Sequence, residues 1–190
     1  MLKLHGRGGS VPRGGTALRS ELISPYGLCL YPRVMSKIVL GPARIGDAPA
    51  IANMSRTLIE PGLPWRWTPR RVAAHMKERE NLVVVAKDAS GLVGFAMAQF
   101  HTESVHLTLI GVATERKRSG IGRQLIAWVE DSAIVAGLFR VNLEVRAGNH
   151  EARRFYAALS YREAGRVSGY YSGIEDAIQF SRDLRVTQQA

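Results

Sequence analysis

The chain has 190 residues, with 26 Lys and Arg against 16 Asp and Glu, a formal net charge of +10, and 46% hydrophobic residues. That length suits one compact domain plus a tail, with enough apolar material for a real core, while a single cysteine excludes a disulfide framework. The excess of cations favours a polyanionic partner, whether nucleic acid, an anionic membrane or a phosphate-rich small molecule, without choosing among them.

Residues 1–34 are rich in Gly and Pro and show neither helical nor strand period, which predicts a disordered basic extension. Lys3, Arg7, Arg13, Arg19 and Arg33 face only Glu21 there. A tether to nucleic acid or membrane is one reading. An upstream extension, with translation starting at Met35, is favoured because ordered periodicity begins right after it. Cys29 is the lone thiol, which suits a reducing cytosol and so a cytoplasmic protein. Pro25 and Pro32 interrupt the faintly signal-like stretch from Leu22 to Met35, and no apolar run approaches the roughly 20 residues of a membrane span. The histidines are scattered without ligand spacing, so no metal is expected.

Residues 35–190 read as one α/β domain with mixed strand order. Ile38 to Leu40 opens a strand. Asp47 is placed to cap a helix running to about Ile59, with Pro49 in its first turn. A loop from Glu60 to Trp67 leads to Thr68-Pro69, a cap followed by proline, and a helix to about Glu78. Leu82 to Ala86 and Leu92 to His101 form a hairpin across the turn Asp88 to Gly91. Val105 to Val112 is a further strand. Ile121 to Ala136 is a helix whose predicted inner stripe is Ile121, Leu125, Trp128, Ser132 and Ala136, with Gly137 as its stop. Val141, Leu143 and Val145 alternate with polar residues in a strand. Asn149 then caps a helix with the stripe Ala152, Phe155 and Leu159, and two strands close the chain near Tyr161–Val167 and Ala177–Arg182.

The segment Val112 to Leu125 carries the chemistry. A strand end meets a basic loop with two glycines and then a helix at once. Such a turn aligns successive backbone N–H groups, and the helix start adds its positive dipole end. Lys117, Arg118 and Arg123 add full charges, and one diphosphate would satisfy them all. The dinucleotide fingerprint lacks its third glycine, since position 125 is Leu, and no Walker loop is present. From these residues alone the choice lies between a diphosphate cradle and an ordinary strand-to-helix turn with solvated arginines.

Val112, then Lys117-Arg-Ser-Gly-Ile-Gly122 and a helix, resembles the coenzyme A pyrophosphate loop of the GNAT superfamily of N-acetyltransferases, which reads Arg/Gln-x-x-Gly-x-Gly/Ala. Lys117 stands where Arg or Gln is usual. The resemblance continues through Leu143-Glu-Val-Arg-Ala-Gly-Asn149, Phe155-Tyr156 and Leu159, with Ser160-Tyr161 replacing the usual Gly-Phe. It covers roughly Ile38 to Leu184 and is strongest over Val112 to Tyr161. Within the superfamily the chain is most similar to bacterial N-terminal acetyltransferases of the ribosomal-protein alanine type. The shared features are Leu-Glu-Val-Arg-Ala-x-Asn, Pro64-Trp65, Tyr170-Tyr171 and Glu175-Asp176-Ala177.

The resemblance implies the GNAT fold, a mixed and mostly antiparallel sheet flanked by helices, and acetyl-CoA as co-substrate with no metal. It implies that Ile110, Gly111 and Val112 offer backbone bonds to the pantetheine and thioester. Lys117, Arg118, Ser119, Gly120, Ile121, Gly122 and Arg123 would wrap the pyrophosphate, and Asn149 would reach the pantetheine arm as well as cap its helix. A carboxylate must take the proton of the attacking ammonium and an acid must protect the leaving thiolate. By resemblance these are Glu144 and Tyr156. From the residues alone, Glu144 is an exposed strand carboxylate paired with Arg146 or a neighbouring strand, and Tyr156 a half-buried aromatic at the edge of its stripe. Six residues before Val112, where many GNAT members place a base-like Glu, stands His106, and an imidazole can also do this work near neutral pH. The acceptor site falls among the loop Glu60 to Trp67 and the hairpin of Tyr170 and Tyr171. Trp65 and Trp67 would hold a peptide or pack the loop. Arg66, Arg70 and Arg71 would disfavour a strongly cationic acceptor or form a solvated face. The expected acceptor is a primary amine, foremost a protein or peptide N-terminal α-amine and otherwise a small-molecule amine, with the chain acting as a monomer or homodimer. A basic nucleic-acid-binding module is the other-class alternative, disfavoured because no RNA-binding aromatic motif or recognition helix is present.

Overall fold

A computed structural model of the protein describes residues 37–185. The basic stretch 1–34 and the alternative start at Met35 lie outside the described residues. Seven strands form one sheet in the order β1-β2-β3-β4-β5-β7-β6. They are β1 (Val39–Pro42), β2 (Asn81–Asp88), β3 (Gly91–Phe100), β4 (Val105–Val112), β5 (Arg140–Arg146), β6 (Arg162–Tyr171) and β7 (Glu175–Asp183). All neighbours are antiparallel except β4 and β5, which run parallel. Helices α1 (Ala48–Leu58) and α2 (Pro69–His75) cover one face, and α3 (Ile121–Val135) and α4 (His150–Ala157) the other. Among the described residues no helix is long and apolar enough to cross a membrane.

The alternation of side chains sorts the sheet into two cores. Val84, Ala96, Val141 and Leu143 join Leu125, Ile126 and Val129 of α3, whereas Val83, Val85, Phe95 and Met97 join Ile51 and Ala52 of α1 and Val72 of α2. β4 serves both. Met97 pairs with Leu109 and Ala98 with Leu107, so Thr108 is an extra residue, a β-bulge. Before it, Val105 and Leu107 enter the α3 core; after it, Leu109 enters the core beneath α1 and α2. The bulge also lies where β4 and β5 part, since their pairing spans only Val105–Leu107 against Val141–Leu143.

Most predicted elements form, with four local differences. Asp47 holds the position before α1 but does not cap it; its carboxylate accepts from the Arg44 amide at 2.9 Å and from Lys87 Nζ at 2.6 Å. Thr68 does cap α2, accepting from the Arg71 amide, yet the helix ends at His75 rather than Glu78. Asn81 Nδ2 donates to the His75 carbonyl at 2.9 Å, which satisfies the helix end early. The inner stripe of α3 is Ile121, Leu125, Ile126, Val129 and Ala133, so Trp128 is only partly buried and Ala136 is exposed. β6 continues beyond Val167 to Tyr171, which carries Tyr170 and Tyr171 on an ordered strand end.

Candidate active site

Beyond Leu107 and Leu143 the two parallel strands splay, and a cleft of about 950 Å³ opens between them. Ile110, Gly111 and Val112 of β4 form one wall, and Glu144, Asn149 and Tyr156 stand across it on β5 and α4. Lys117, Arg118, Gly120, Ile121, Gly122 and Arg123 close one end. Of the donor-binding and acid–base candidates, Ser119 and His106 are not on the lining. Ser119 Oγ donates to the Arg116 carbonyl and braces the loop, and His106 stands behind Glu144.

The loop is built for an anion. A 3-10 turn at Thr114–Arg116 is anchored by the Arg116–Asp88 ion pair. Arg118 at φ 60° and Gly120 at φ 84° then take left-handed conformations, which turn successive amides toward one side. No side chain caps α3, so its first amides face the cleft end with the positive end of the helix dipole. Arg118 and Arg123 make no ion pair among the described residues. Lys117 Nζ lies 3.0 Å from Glu151 Oε2, linking the loop to α4, and that hydrogen bond holds the Glu151 carboxyl below its ordinary range. Gly122 has an ordinary φ; its role is close approach, since a Cβ there would lie 3.2 Å from Phe155 Cζ. Asn149 caps α4, its Oδ1 accepting from the Ala152 amide at 3.0 Å, and the same residue lines the cleft.

At the other end stand the acid–base candidates. Glu144 Oε1 accepts from Gln179 Nε2 at 3.2 Å, and its Oε2 lies 3.2 Å from His106 Nε2 and 3.4 Å from the Tyr170 hydroxyl. Of the two expected pairings, neighbouring strands supply the partners and Arg146 is elsewhere, and the Glu144 side chain is mostly covered rather than exposed. Its Nε donates to Glu175 Oε2 at 2.6 Å and its Nη1 to the Pro61 carbonyl at 2.8 Å, while Glu175 Oε1 accepts from the Gly148 amide. Arg146 therefore ties the α1–α2 loop to the β6–β7 hairpin across the end of β5. Tyr156 is buried rather than half-buried, with edge contacts to Phe155 and Tyr161. Burial, aided by Tyr171, pushes its hydroxyl well above the usual tyrosine value, so the group stays protonated.

Glu60 organises the acceptor-side loop from a buried position. Its carboxylate accepts from Ser55 Oγ at 3.0 Å and from the Arg66 and Trp67 amides at 2.7 and 3.4 Å. Arg71 stacks over Trp67, whose ring stands edge-on to His75, and Arg56 stacks over the exposed Trp65. Trp67 is thus a packing residue, while Trp65 is presented to solvent. Sequence reasoning missed Glu60, Gln179 and the Arg146–Glu175 link, because each is defined by a partner remote in the chain or by burial. Among the described residues no group of three or more His, Cys, Asp or Glu is placed to hold a metal ion.

Residues 53–161 match the acetyltransferase (GNAT) family. The chain is 33% identical over 116 residues to the ribosomal protein bS18-alanine N-acetyltransferase of Salmonella typhimurium, covering 59% of this chain and 77% of that one. The crystal structure of the ribosomal-protein-S18-alanine N-acetyltransferase from Escherichia coli superposes with a TM-score of 0.68 at 25% identity, over 78% of this chain and 94% of that one. That of Arabidopsis thaliana NAA60 in complex with acetyl-CoA shares the fold, with a TM-score of 0.69 at 20% identity over 78% and 99% of the two chains. With the splayed strands, the glycine loop and the family match in agreement, the chain belongs to the GNAT family of acetyltransferases.

Proposed function

We propose that this chain moves an acetyl group from acetyl-CoA to the α-amine at the N-terminus of a protein. The observation that carries the reading is the polarity of one cleft. A positive, uncapped helix start with two arginines that make no ion pair among the described residues closes one end, and a carboxylate and a neutral, buried tyrosine line the other. The relatives named for ribosomal-protein alanine support the acceptor class.

The residues present fit the donor. The left-handed turn at Arg118 and Gly120, the α3 amides, Arg118 and Arg123 suit a pyrophosphate, and the edge of β4 freed beyond Leu107 suits the amide-bearing pantetheine. When bound, acetyl-CoA supplies an acetyl thioester. Glu144 takes a proton from the acceptor ammonium, which frees the nitrogen lone pair for attack on the acetyl carbon. The C–S bond breaks, Tyr156 gives its proton to the departing sulfur, and the second proton shed by the new amide nitrogen restores the Tyr156 hydroxyl. Burial keeps Tyr156 protonated and so able to donate, while its raised proton affinity opposes the transfer, so the proton moves together with C–S cleavage and not ahead of it. The Glu60-ordered loop and the Tyr170–Tyr171 pair flank the acceptor end and suit a peptide held by its backbone. A chain with one cysteine needs no oxidising compartment, which suits a cytosolic enzyme.

An acetyl-transfer assay against peptides beginning with Ala or Ser, beside a panel of small amines and aminoglycosides, tests the reading. Acetylation at the peptide α-amine is expected. Transfer to small amines with none to peptides overturns the acceptor assignment and leaves the donor standing.

A further inference from the structure

The sequence sets His106 and Glu144 against each other as bases. In the fold they touch, Nε2 to Oε2 at 3.2 Å. We propose that His106 acts through Glu144, accepting the proton that the carboxylate removes from the amine and releasing it to solvent beside a pocket beneath α2. This rests on Glu144 being the base.

Each turnover leaves a proton on Glu144, and that proton must depart before the next. The Glu144 side chain is only 12% exposed, against 29% for His106, and donor and acceptor occupy the cleft in front of it. Gln179 Nε2 donates to Oε1 and has no lone pair to receive a proton. Tyr170, the second partner of Oε2, has its hydroxyl pushed up by burial and by Glu144 itself, so it too holds its proton. His106 is the partner able to take one.

His106 also has somewhere to send it. It pairs in register with Gln99, and Gln99 and Thr108 line a second pocket of about 350 Å³. Arg71, His75, Glu78 and Asn81 place polar groups on its wall beside Trp67 and Ala74, and the volume suits several waters at ~30 Å³ each. Glu144 from β5 faces His106 directly, Tyr170 from β6 shares the same Glu144 oxygen, and Arg71, His75 and Glu78 line the pocket that its cross-strand neighbour Gln99 borders. Burial, then Arg71, lowers the His75 pKa, which leaves that ring neutral beside the route.

The step balances. An N–H bond of the ammonium breaks as an O–H bond forms at Glu144. The proton then passes from Oε2 to Nε2 of an imidazole carrying its own hydrogen on Nδ1. Glu144 is again a carboxylate, and the imidazolium loses a proton to water.

His106→Gln retains a donor for Glu144 but cannot accept a proton, so it separates positioning from relay. The expected result is a kcat lowered at least tenfold with KM for acetyl-CoA unchanged, and a changed pH profile of kcat. For His106→Ala, added imidazole restores part of the rate. Wild-type kcat and pH profile in His106→Gln, or no imidazole rescue of His106→Ala, overturns the relay. Glu144→Gln run alongside keeps the two readings apart. An inactive Glu144→Gln with an unaffected His106→Gln removes the relay alone, whereas a fully active Glu144→Gln removes the base and the relay with it.

Discussion

Gly120 and Gly122 occupy one motif but answer to different physics, and alanine at each position tells them apart. At Gly120 there is room, since the nearest atom to an added Cβ is Gln124 Nε2 at 3.8 Å, but φ is 84°. A left-handed residue with a Cβ costs roughly 1–2 kcal/mol. For a domain of this size that lowers Tm by about 2–8 °C. Relief by rotating φ would turn the amides away from the anion, so acetyl-CoA affinity should fall at least tenfold. At Gly122 the backbone is ordinary, and the added Cβ meets Phe155 Cζ at 3.2 Å and Cε2 at 3.5 Å. A small ring shift relieves that contact, and replacing a helical glycine by alanine returns up to about 1 kcal/mol. Gly122→Ala should melt within about 2 °C of wild type and bind acetyl-CoA within severalfold. Thermal melts followed by circular dichroism, with calorimetric titration of acetyl-CoA, measure both. A Gly120→Ala protein with wild-type Tm and affinity, or a Gly122→Ala protein more damaged than it, refutes the reasoning.

Tyr156→Phe should lower kcat by about one to three orders of magnitude with little change in KM, by the usual contribution of a general acid; steady-state kinetics checks this, and an unchanged kcat removes Tyr156 as the acid. Glu60→Ala strands the Arg66 amide and empties a buried carboxylate site, which should cost on the order of 2 kcal/mol and raise the acceptor KM more than that for acetyl-CoA. Urea melts and paired substrate titrations measure the two effects. Burial raises the Tyr156, Tyr161 and Tyr171 hydroxyls above the ordinary value of 10.0. These groups keep their protons in the fold after unfolded tyrosines ionise, so their contribution is intact below about pH 10 and is lost as pH rises beyond it. Stability in denaturant at pH 8, 10 and 11 should be flat and then fall; a rise above pH 10 contradicts the assignment. Arg146→Ala releases Pro61 and Glu175 together and should raise the acceptor KM severalfold, with the Glu175→Gln variant reproducing part of the change.

What the sequence made legible was local. β4 runs from Val105 to Val112 as its apolar pattern predicts, and the Thr68 and Asn149 caps form because an oxygen beside a helix start needs no distant partner. The glycine loop was readable for the same reason. The bulge at Thr108 was not, because Val-His-Leu-Thr-Leu alternates regularly and an extra residue shows only against the register of β3. The α3 stripe was assigned one step around the helix, since Trp128 competes with Ile126 and Val129 for the inner face and only packing decides. The partnership of His106 with Glu144 joins two strands far apart in the chain. Each residue alone carries a plausible role, and proximity merges them. Glu60 gave no signal, because its ligands are backbone amides set by the loop that it shapes.

The brevity of the β4–β5 ladder has a thermodynamic consequence. Three residue pairs stitch the antiparallel β1–β4 sheet to the β5–β7 sheet, with α3 packed across the seam. A ligand lying between the splayed ends would touch both halves and be lost on unfolding, so it stabilises the fold by RT ln(1 + [L]/Kd), about 2.7 kcal/mol at a hundredfold excess over Kd. The melting point of this enzyme is then a reading of donor concentration. In a cell its resistance to unfolding and proteolysis would rise and fall with the acetyl-CoA pool.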